Sequence, residues 1–217
     1  VGVDIGCGMY TIDLGRQPID FFRLDKAAHR VPSGANVWNE PQLSFDVHPL
    51  YCYDRLKNLS RIACSIGTLG GGNHFIEVDE THDGRHYLII HTGSRNLGKQ
   101  VADIYQQIAI ELQGQEETQP EQINRIIREY QMAGRQEEIE KSVKEIKRRY
   151  HQKQIPDDLC YVSGKYLKQY LHDVVLCQQF ARLNREHIAR VLLEQTGLKA
   201  GEAFHTIHNY IDVEEMI

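Results

Sequence analysis

The chain has 217 residues, 41% of them apolar and 25% charged, so it should fold around one sizeable core or two small ones. Its apolar runs are too short to cross a bilayer, and its five cysteines, odd in number and without framework spacing, exclude a disulfide scaffold and point to a reducing, cytoplasmic compartment. The net charge of -5, with 11 His uncounted, excludes a globally basic surface, so a nucleic-acid partner would need a local basic groove.

The first predicted element is a short buried strand from Val1 to Ile5, ending in Gly6-Cys7-Gly8. The chain opens without Met inside this apolar stretch and stops at Ile217, close behind a His-rich motif; chain ends are usually polar, so a segment of a longer protein is expected. Residues from about Pro18 to Ala28 read as a helix, with Pro18 acceptable near its start, and Pro32-Ser33-Gly34 breaks the pattern. A second helix is predicted from about Pro49 to Ile66, because Leu56, Leu59, Ile62 and Ala63 fall on one face. After the glycine cluster Gly67 to Gly72, His74 to Val78 alternates as a strand and Tyr87 to His91 forms a second; the link from Asp79 to His86, with Asp83-Gly84, reads as a hairpin turn. A helix follows from about Asn96 to Leu112.

Residues 115–153 alternate acid and base, with Glu137/Lys141 and Glu140/Lys144 at i,i+4 spacing, and read as a helical insertion. Lys147-Arg148-Arg149 within it offers an RNA-phosphate contact, although mixed charge of both signs fits a solvated face better. Pro156-Asp157-Asp158 is a helix-start signal. A long amphipathic helix is expected from roughly Lys165 to Gln195, stopping at Gly197, and Phe204 to Ile211 reads as a final strand. Strands and helices mix without regular βαβ alternation, so the expected class is α+β, with 1–217 forming one domain segment that carries the 115–153 insertion.

Metal-ligand residue types sit beside glycine or at strand ends in four places. Asp4 and Cys7 are three apart, so a carboxylate and a thiolate can share one ion or the sulfur can bridge two; taken alone, a Cys beside Gly is more often a small buried hydrophobe. Antiparallel pairing puts His74 and His91 at the same edge of their hairpin. His205 and His208 would point to opposite faces of a strand, and His208 is preferred as the ligand. Three imidazoles, one thiolate and one carboxylate suit manganese, zinc or iron better than magnesium. Phe75 and Glu77, two apart on one strand face, suit guanine through ring stacking and an acceptor for N1 and N2 hydrogens; a core Phe and a surface Glu is the plainer alternative. The glycine cluster lacks the Lys-Ser/Thr of a phosphate-binding loop, and no Gly-x-Ser-x-Gly elbow is present.

Four segments in order resemble the RtcB family of GTP-dependent RNA ligases: Asp4-Ile5-Gly6-Cys7-Gly8, Leu69-Gly70-Gly71-Gly72-Asn73-His74-Phe75-Ile76-Glu77, His91-Thr92-Gly93-Ser94-Arg95-Asn96-Leu97-Gly98 and His208-Asn209-Tyr210. The stretch Phe180-Ala181-Arg182-Leu183-Asn184-Arg185 also looks like the family's long helix. The resemblance implies a mixed α/β architecture with two manganese ions in a central cleft, held by Asp4, Cys7, His74, His91 and His208, with Cys7 bridging. It further implies nucleotide contacts from Asn73, Phe75, Glu77, His208 and Asn209, and RNA phosphates near Ser94 and Arg95.

The implied activity joins RNA 3′-phosphate or 2′,3′-cyclic-phosphate ends to 5′-hydroxyl ends in tRNA splicing or RNA repair, through a guanylylated histidine, with manganese and GTP as cofactors. An archease-type activator is an implied partner, and no membrane is. The family's nucleophilic histidine and its guanine-binding lysine are expected beyond Ile217, so the catalytic nucleophile is assigned to no histidine here. Two rival readings are a dinuclear-metal phosphoesterase that opens cyclic phosphates without GTP, and a catalytically incomplete RNA-binding paralogue.

Overall fold

The computed structural model describes residues 4–114, 119–152 and 156–210, the side chains of 119–122 and 148–152 excepted. Contacts divide it into two compact units, one made of residues up to Ile104 and from Leu167 onward, the other of Tyr105–Tyr166. Among the described residues, no helix is long and apolar enough to cross a membrane.

The first unit is built on a four-stranded antiparallel sheet of β1 (Gly8–Gly15), β2 (Phe75–Glu80), β3 (His86–Thr92) and β4 (Ala203–Ile207), in the order β2-β3-β1-β4. Side chains alternate across such strands, so Ile12 and Leu14 of β1 and Leu88 and Ile90 of β3 share one face. That face is covered by Leu24 and Ala27 of α1 (Phe21–Ala28) and by Ile188, Ala189 and Leu192 of α6 (Gly164–Thr196). All nine are buried, and at roughly 1.5–3 kcal/mol for each large aliphatic side chain this layer is the main stabilising contact of the sheet. The carboxylate of Asp20 caps α1 by accepting from the amide of Arg23 at 3.0 Å.

The hairpin of β2 and β3 and the long helix α6 form as expected, and the latter ends one residue before Gly197. Four expectations are corrected. The described strand near the start is Gly8–Gly15, and Asp4 and Ile5, the described end of the expected strand, are not in one: Asp4 to Gly6 form a turn, closed by the Cys7 amide donating to the Asp4 carbonyl at 3.1 Å. Val1 to Val3 lie outside the described residues. The proposed helix from Pro49 to Ile66 is a single 3₁₀ turn (Tyr53–Arg55) followed by the five-residue α2 (Leu59–Ala63). Leu56 is extended and Asn58 adopts a left-handed φ of 55°, so the helical ladder cannot run through them. The signal at Pro156 opens only a 3₁₀ turn, Asp157–Leu159, and α6 begins at Gly164. The last strand stops at Ile207, leaving His208 and Asn209 in a bend, and Ile211 lies outside the described residues.

Helix α3 (Arg95–Gly114) begins in the first unit and continues into the second, which also holds α4 (Gln119–Met132) and α5 (Ile139–Gln152). Helices α4 and α5 touch, with the Ser142 hydroxyl 3.3 Å from that of Tyr130. Arg135 forks onto Glu138 at 2.9 and 2.6 Å, and the expected Glu140–Lys144 pair forms at 2.6 Å. Lys147 is exposed, while the side chains of Arg148 and Arg149 lie outside the described residues.

Candidate metal centre

Each expected ligand is delivered by a different backbone device. Asp4 sits in the turn ahead of β1, and Cys7 at the point where that turn becomes strand. His74 immediately precedes β2, His91 is the penultimate residue of β3, and His208 immediately follows β4. Register then does the gathering, because Met9 pairs with both His91 and Thr206, and Phe75 pairs with His91. Four strand ends therefore meet at one edge of the sheet.

The donor atoms converge around the Cys7 sulfur. Sγ lies 3.3 Å from Nε2 of His91 and 3.6 Å from Nε2 of His74. Nε2 of His91 lies 3.3 Å from Nε2 of His208, and Nε2 of His74 lies 2.8 Å from a carboxylate oxygen of Asp4. Two overlapping donor sets result, Cys7 with His91 and His208, and Asp4 with Cys7 and His74, each with its atoms within 4.8 Å of one another. Sulfur is common to both.

The second nitrogens of two rings are already committed. Nδ1 of His74 donates to the Leu69 carbonyl at 2.9 Å, and Nδ1 of His91 donates to the Asn73 carbonyl at 3.0 Å. That fixes the tautomer of each neutral ring, so both Nε2 lone pairs face the cluster, as in a metal-ligating histidine. Lone pairs from two imidazoles aimed at one sulfur and a carboxylate make a donor set that fits a divalent cation of the manganese, iron or zinc kind.

Electrostatics follow the same geometry. Burial pushes the Cys7 thiol up, the charge of Asp4 adds to it, and together they hold the thiol at about 12, against a small opposing pull from Arg185. Burial also raises the Asp4 carboxyl, but the hydrogen bonds from His74 and Cys7 and the charges of His74 and Arg95 outweigh it and leave the group below its ordinary value. Burial lowers His91, and the neighbouring His208 and His74 lower it further. Binding of a cation would favour the thiolate and the neutral rings at once.

The remaining expected residues divide into those at an open cleft and those that serve the scaffold. A cleft of about 450 Å³ is lined by Asp4 and His74 together with Arg61, Arg95 and Lys99. Arg95 is the first residue of α3 and has a left-handed φ of 56°, a conformation costing about 1–3 kcal/mol for a side chain of its kind. Its Nε donates to the Thr68 hydroxyl and its Nη2 to the Gly34 carbonyl, both at 3.0 Å. Ser94, expected near phosphates, is instead fully buried, with its hydroxyl donated to the Ile5 carbonyl. Asn209 donates its amide to the Asp4 carbonyl at 2.6 Å, so it braces the turn that carries Asp4. Asn73 is exposed, and its carbonyl supports His91. The Phe75 ring is half-buried, 5.0 Å from the His91 ring, and Glu77 is exposed two residues along β2. His205 is drawn away from the cluster, stacking on Tyr10 at 4.1 Å and facing Glu186 at 3.2 Å.

Two residues of α6 that had no assigned role support this arrangement. Asn184 accepts from the amides of Gly67 and Thr68 at 2.7 and 3.0 Å and donates to the carbonyls of Thr68 and Gly93, both at 3.1 Å. Arg185 donates through Nη1 to the carbonyls of Gly6 at 2.9 Å and Thr92 at 2.7 Å. A signal for both existed in the sequence. They fall on the same helical stripe as Phe180, Ala181, Ile188 and Ala189, where a polar residue needs a reason to be buried.

Comparison with known proteins agrees with this geometry. The family model for the tRNA-splicing ligase RtcB matches residues 52–217. The RNA-splicing ligase RtcB of Escherichia coli K12 is 24% identical over 252 residues, covering 99% of this chain and 53% of that protein. RNA-splicing ligase RtcB1 from another Escherichia coli strain is 25% identical over 251 residues with the same coverage, and RtcB2 from that strain is 30% identical over 118 residues, 46% of this chain and 28% of that protein. The chain thus spans about half the length of the first two relatives. With three quarters of its length under the family model and its ordered motifs gathered at one sheet edge, the chain belongs to the RtcB family.

Proposed function

We propose that this chain carries the dinuclear metal centre and part of the nucleotide site of an RNA ligase that joins 3′-phosphate or 2′,3′-cyclic-phosphate ends to 5′-hydroxyl ends, with GTP and manganese. The observation that carries this reading is the Cys7 sulfur, which stands between two donor sets and belongs to both. Asp4, Cys7 and His74 would hold one cation and Cys7, His91 and His208 the other. Such ions would neutralise charge on the attacking and leaving oxygens of a phosphoryl transfer.

The rest of the chemistry falls to side chains around the centre. Arg95 lines the cleft with Nε and Nη2 already bonded to Thr68 and Gly34, so it would draw a phosphate by its fixed, pre-oriented charge. Arg61 and Lys99 add positive charge to the same cleft, which supplies the local basic groove that a chain of net charge -5 needs to hold RNA. Phe75 and Glu77 would take the guanine base, by stacking and by accepting from its N1 and N2 hydrogens. The route through a guanylylated histidine belongs to this proposal, and no histidine of this chain is assigned as that nucleophile. Residues 115–153 are read as an insertion that serves neither metal nor nucleotide.

The direct test incubates the full-length protein that carries this chain with manganese and GTP labelled at the α-phosphate, then adds RNA bearing 3′-phosphate and 5′-hydroxyl ends. An acid-labile guanylate on the protein, followed by sealed RNA, is expected. Opening of a cyclic phosphate with no need for GTP would replace the ligase reading with that of a phosphoesterase.

A further inference from the structure

Arg185 is the largest fully buried side chain among the described residues. It lies in the middle of α6, behind the strand ends that carry the metal ligands. Burying a guanidinium is unfavourable unless its donors are used, and this one is used incompletely: Nη1 serves two carbonyls, Nε reaches His205 Nδ1 at 3.4 Å, and Nη2 is buried with no hydrogen-bond partner. A leucine or methionine would fill the same place on the apolar stripe without that cost, so packing does not explain the arginine.

Its two carbonyl partners do. Gly6 immediately precedes Cys7 and Thr92 immediately follows His91; Gly6 closes the turn that leads into β1, whose first residue, Gly8, pairs with Thr92 at the end of β3. One guanidinium nitrogen, Nη1, therefore ties the peptide before the thiol to the peptide after the imidazole. The fixed positive charge is fully buried and does not line the basic cleft. Asn184, the adjacent residue, extends the same anchoring to the third ligand. It holds the amides of Gly67 and Thr68 and touches the Thr92 hydroxyl at 3.4 Å; that hydroxyl donates to the Leu69 carbonyl at 2.7 Å, and Leu69 is the carbonyl that orients His74.

From these contacts, and resting on the metal reading above, we infer that Arg185 is a positioning residue of the metal centre, fixing the backbone on both sides of the Cys7–His91 pair and thereby setting how tightly the five-donor cluster holds divalent cations. Asn184 is its companion for the loop that carries His74. Residues that orient metal ligands from behind typically change affinity by about 10- to 100-fold when removed, and that is the effect expected here.

The test uses cobalt(II) alone as the probe, because its absorption reports thiolate ligation directly. Wild-type protein, Arg185→Met, Arg185→Lys and Asp173→Asn are titrated, with circular dichroism as a check on folding. Asp173 is the control: it is another fully buried polar residue of α6, and it anchors the amides of Tyr51 and Cys52 rather than any peptide next to a ligand. Arg185→Met should bind cobalt about ten-fold or more weakly with a diminished thiolate band, Arg185→Lys should be intermediate, and Asp173→Asn should match wild type. Folded Arg185→Met with wild-type affinity and band, or an equal loss in Asp173→Asn, would overturn the inference. Should Arg185→Met not fold, Arg185→Lys and the nitrogen-15 resonance of Arg185 Nε in the wild-type protein decide: weaker cobalt binding by the lysine variant and a shift of that resonance on adding zinc support it, and absence of both refutes it. A wild-type protein that binds no cobalt refutes the metal reading itself, a different outcome from wild-type binding left untouched by the Arg185 variants.

Discussion

At the scale of single residues, close approach decides what the centre tolerates. A Cβ built on Gly93 would lie 2.1 Å from a carboxylate oxygen of Asp4, so glycine at that position is what lets Asp4 reach His74. Gly93→Ala should displace the carboxylate and weaken metal binding at the donor set Asp4, Cys7 and His74 more than at the set Cys7, His91 and His208. Stepwise manganese titration would show this as a loss of one binding phase; two unchanged phases would contradict it. Away from the centre, burial and then the charge of Asp173 push the Cys52 thiol from its ordinary value near 9.0 up to about 12. The folded state thus holds this proton more tightly than the unfolded chain does. The contribution to stability is complete below a pH of about 9 and is lost as the pH rises towards about 12. Denaturant midpoints measured over that range should fall less steeply in Cys52→Ala than in wild type, and parallel slopes would exclude the linkage.

At the scale of elements, the legible parts were those whose signal was long or local. The β2–β3 hairpin showed itself through alternation around Asp83-Gly84, and α6 through more than thirty residues of helical periodicity. That hairpin alone places His74 and His91 together. Strand β1 was missed because the apolar run just before it, ending at Ile5, looks more strand-like than Gly8–Gly15; Ile5 is fully buried in a turn instead. The helix drawn from Pro49 failed because periodicity in four apolar residues cannot report the left-handed turn at Asn58. Arg185 and Asn184 were legible only as an anomaly on an apolar stripe, since their carbonyl and amide partners are about 90 or more residues away in sequence. The junction between α6 and the glycine loop is itself tight: Gly67 has a φ of 81°, and a Cβ there would meet the His187 ring at 2.2 Å. Gly67→Ala should cost roughly 1–3 kcal/mol from backbone strain, before any clash, and lower the thermal midpoint. An unchanged midpoint would mean that the loop is not held as described.

At the scale of the whole molecule, the candidate metal ligands and cleft residues fall in one of the two units. Asp4, Cys7, His74, His91 and His208 all belong to the unit built on the sheet, as do the cleft residues Arg61, Arg95 and Lys99. Helices α4 and α5 are held to each other by their own contacts, including the Tyr130–Ser142 hydroxyl pair. Replacing residues 118–150 by a short flexible linker should therefore leave metal affinity intact, as measured by calorimetry; loss of both ions would make that helical segment part of the centre. The account as a whole turns on whether one sulfur serves two ions. Electron paramagnetic resonance of the protein titrated with manganese(II) answers this most directly: the account predicts a spin-coupled pair that disappears in Cys7→Ala, and a spectrum of isolated ions, or a coupled pair that survives that substitution, would contradict it.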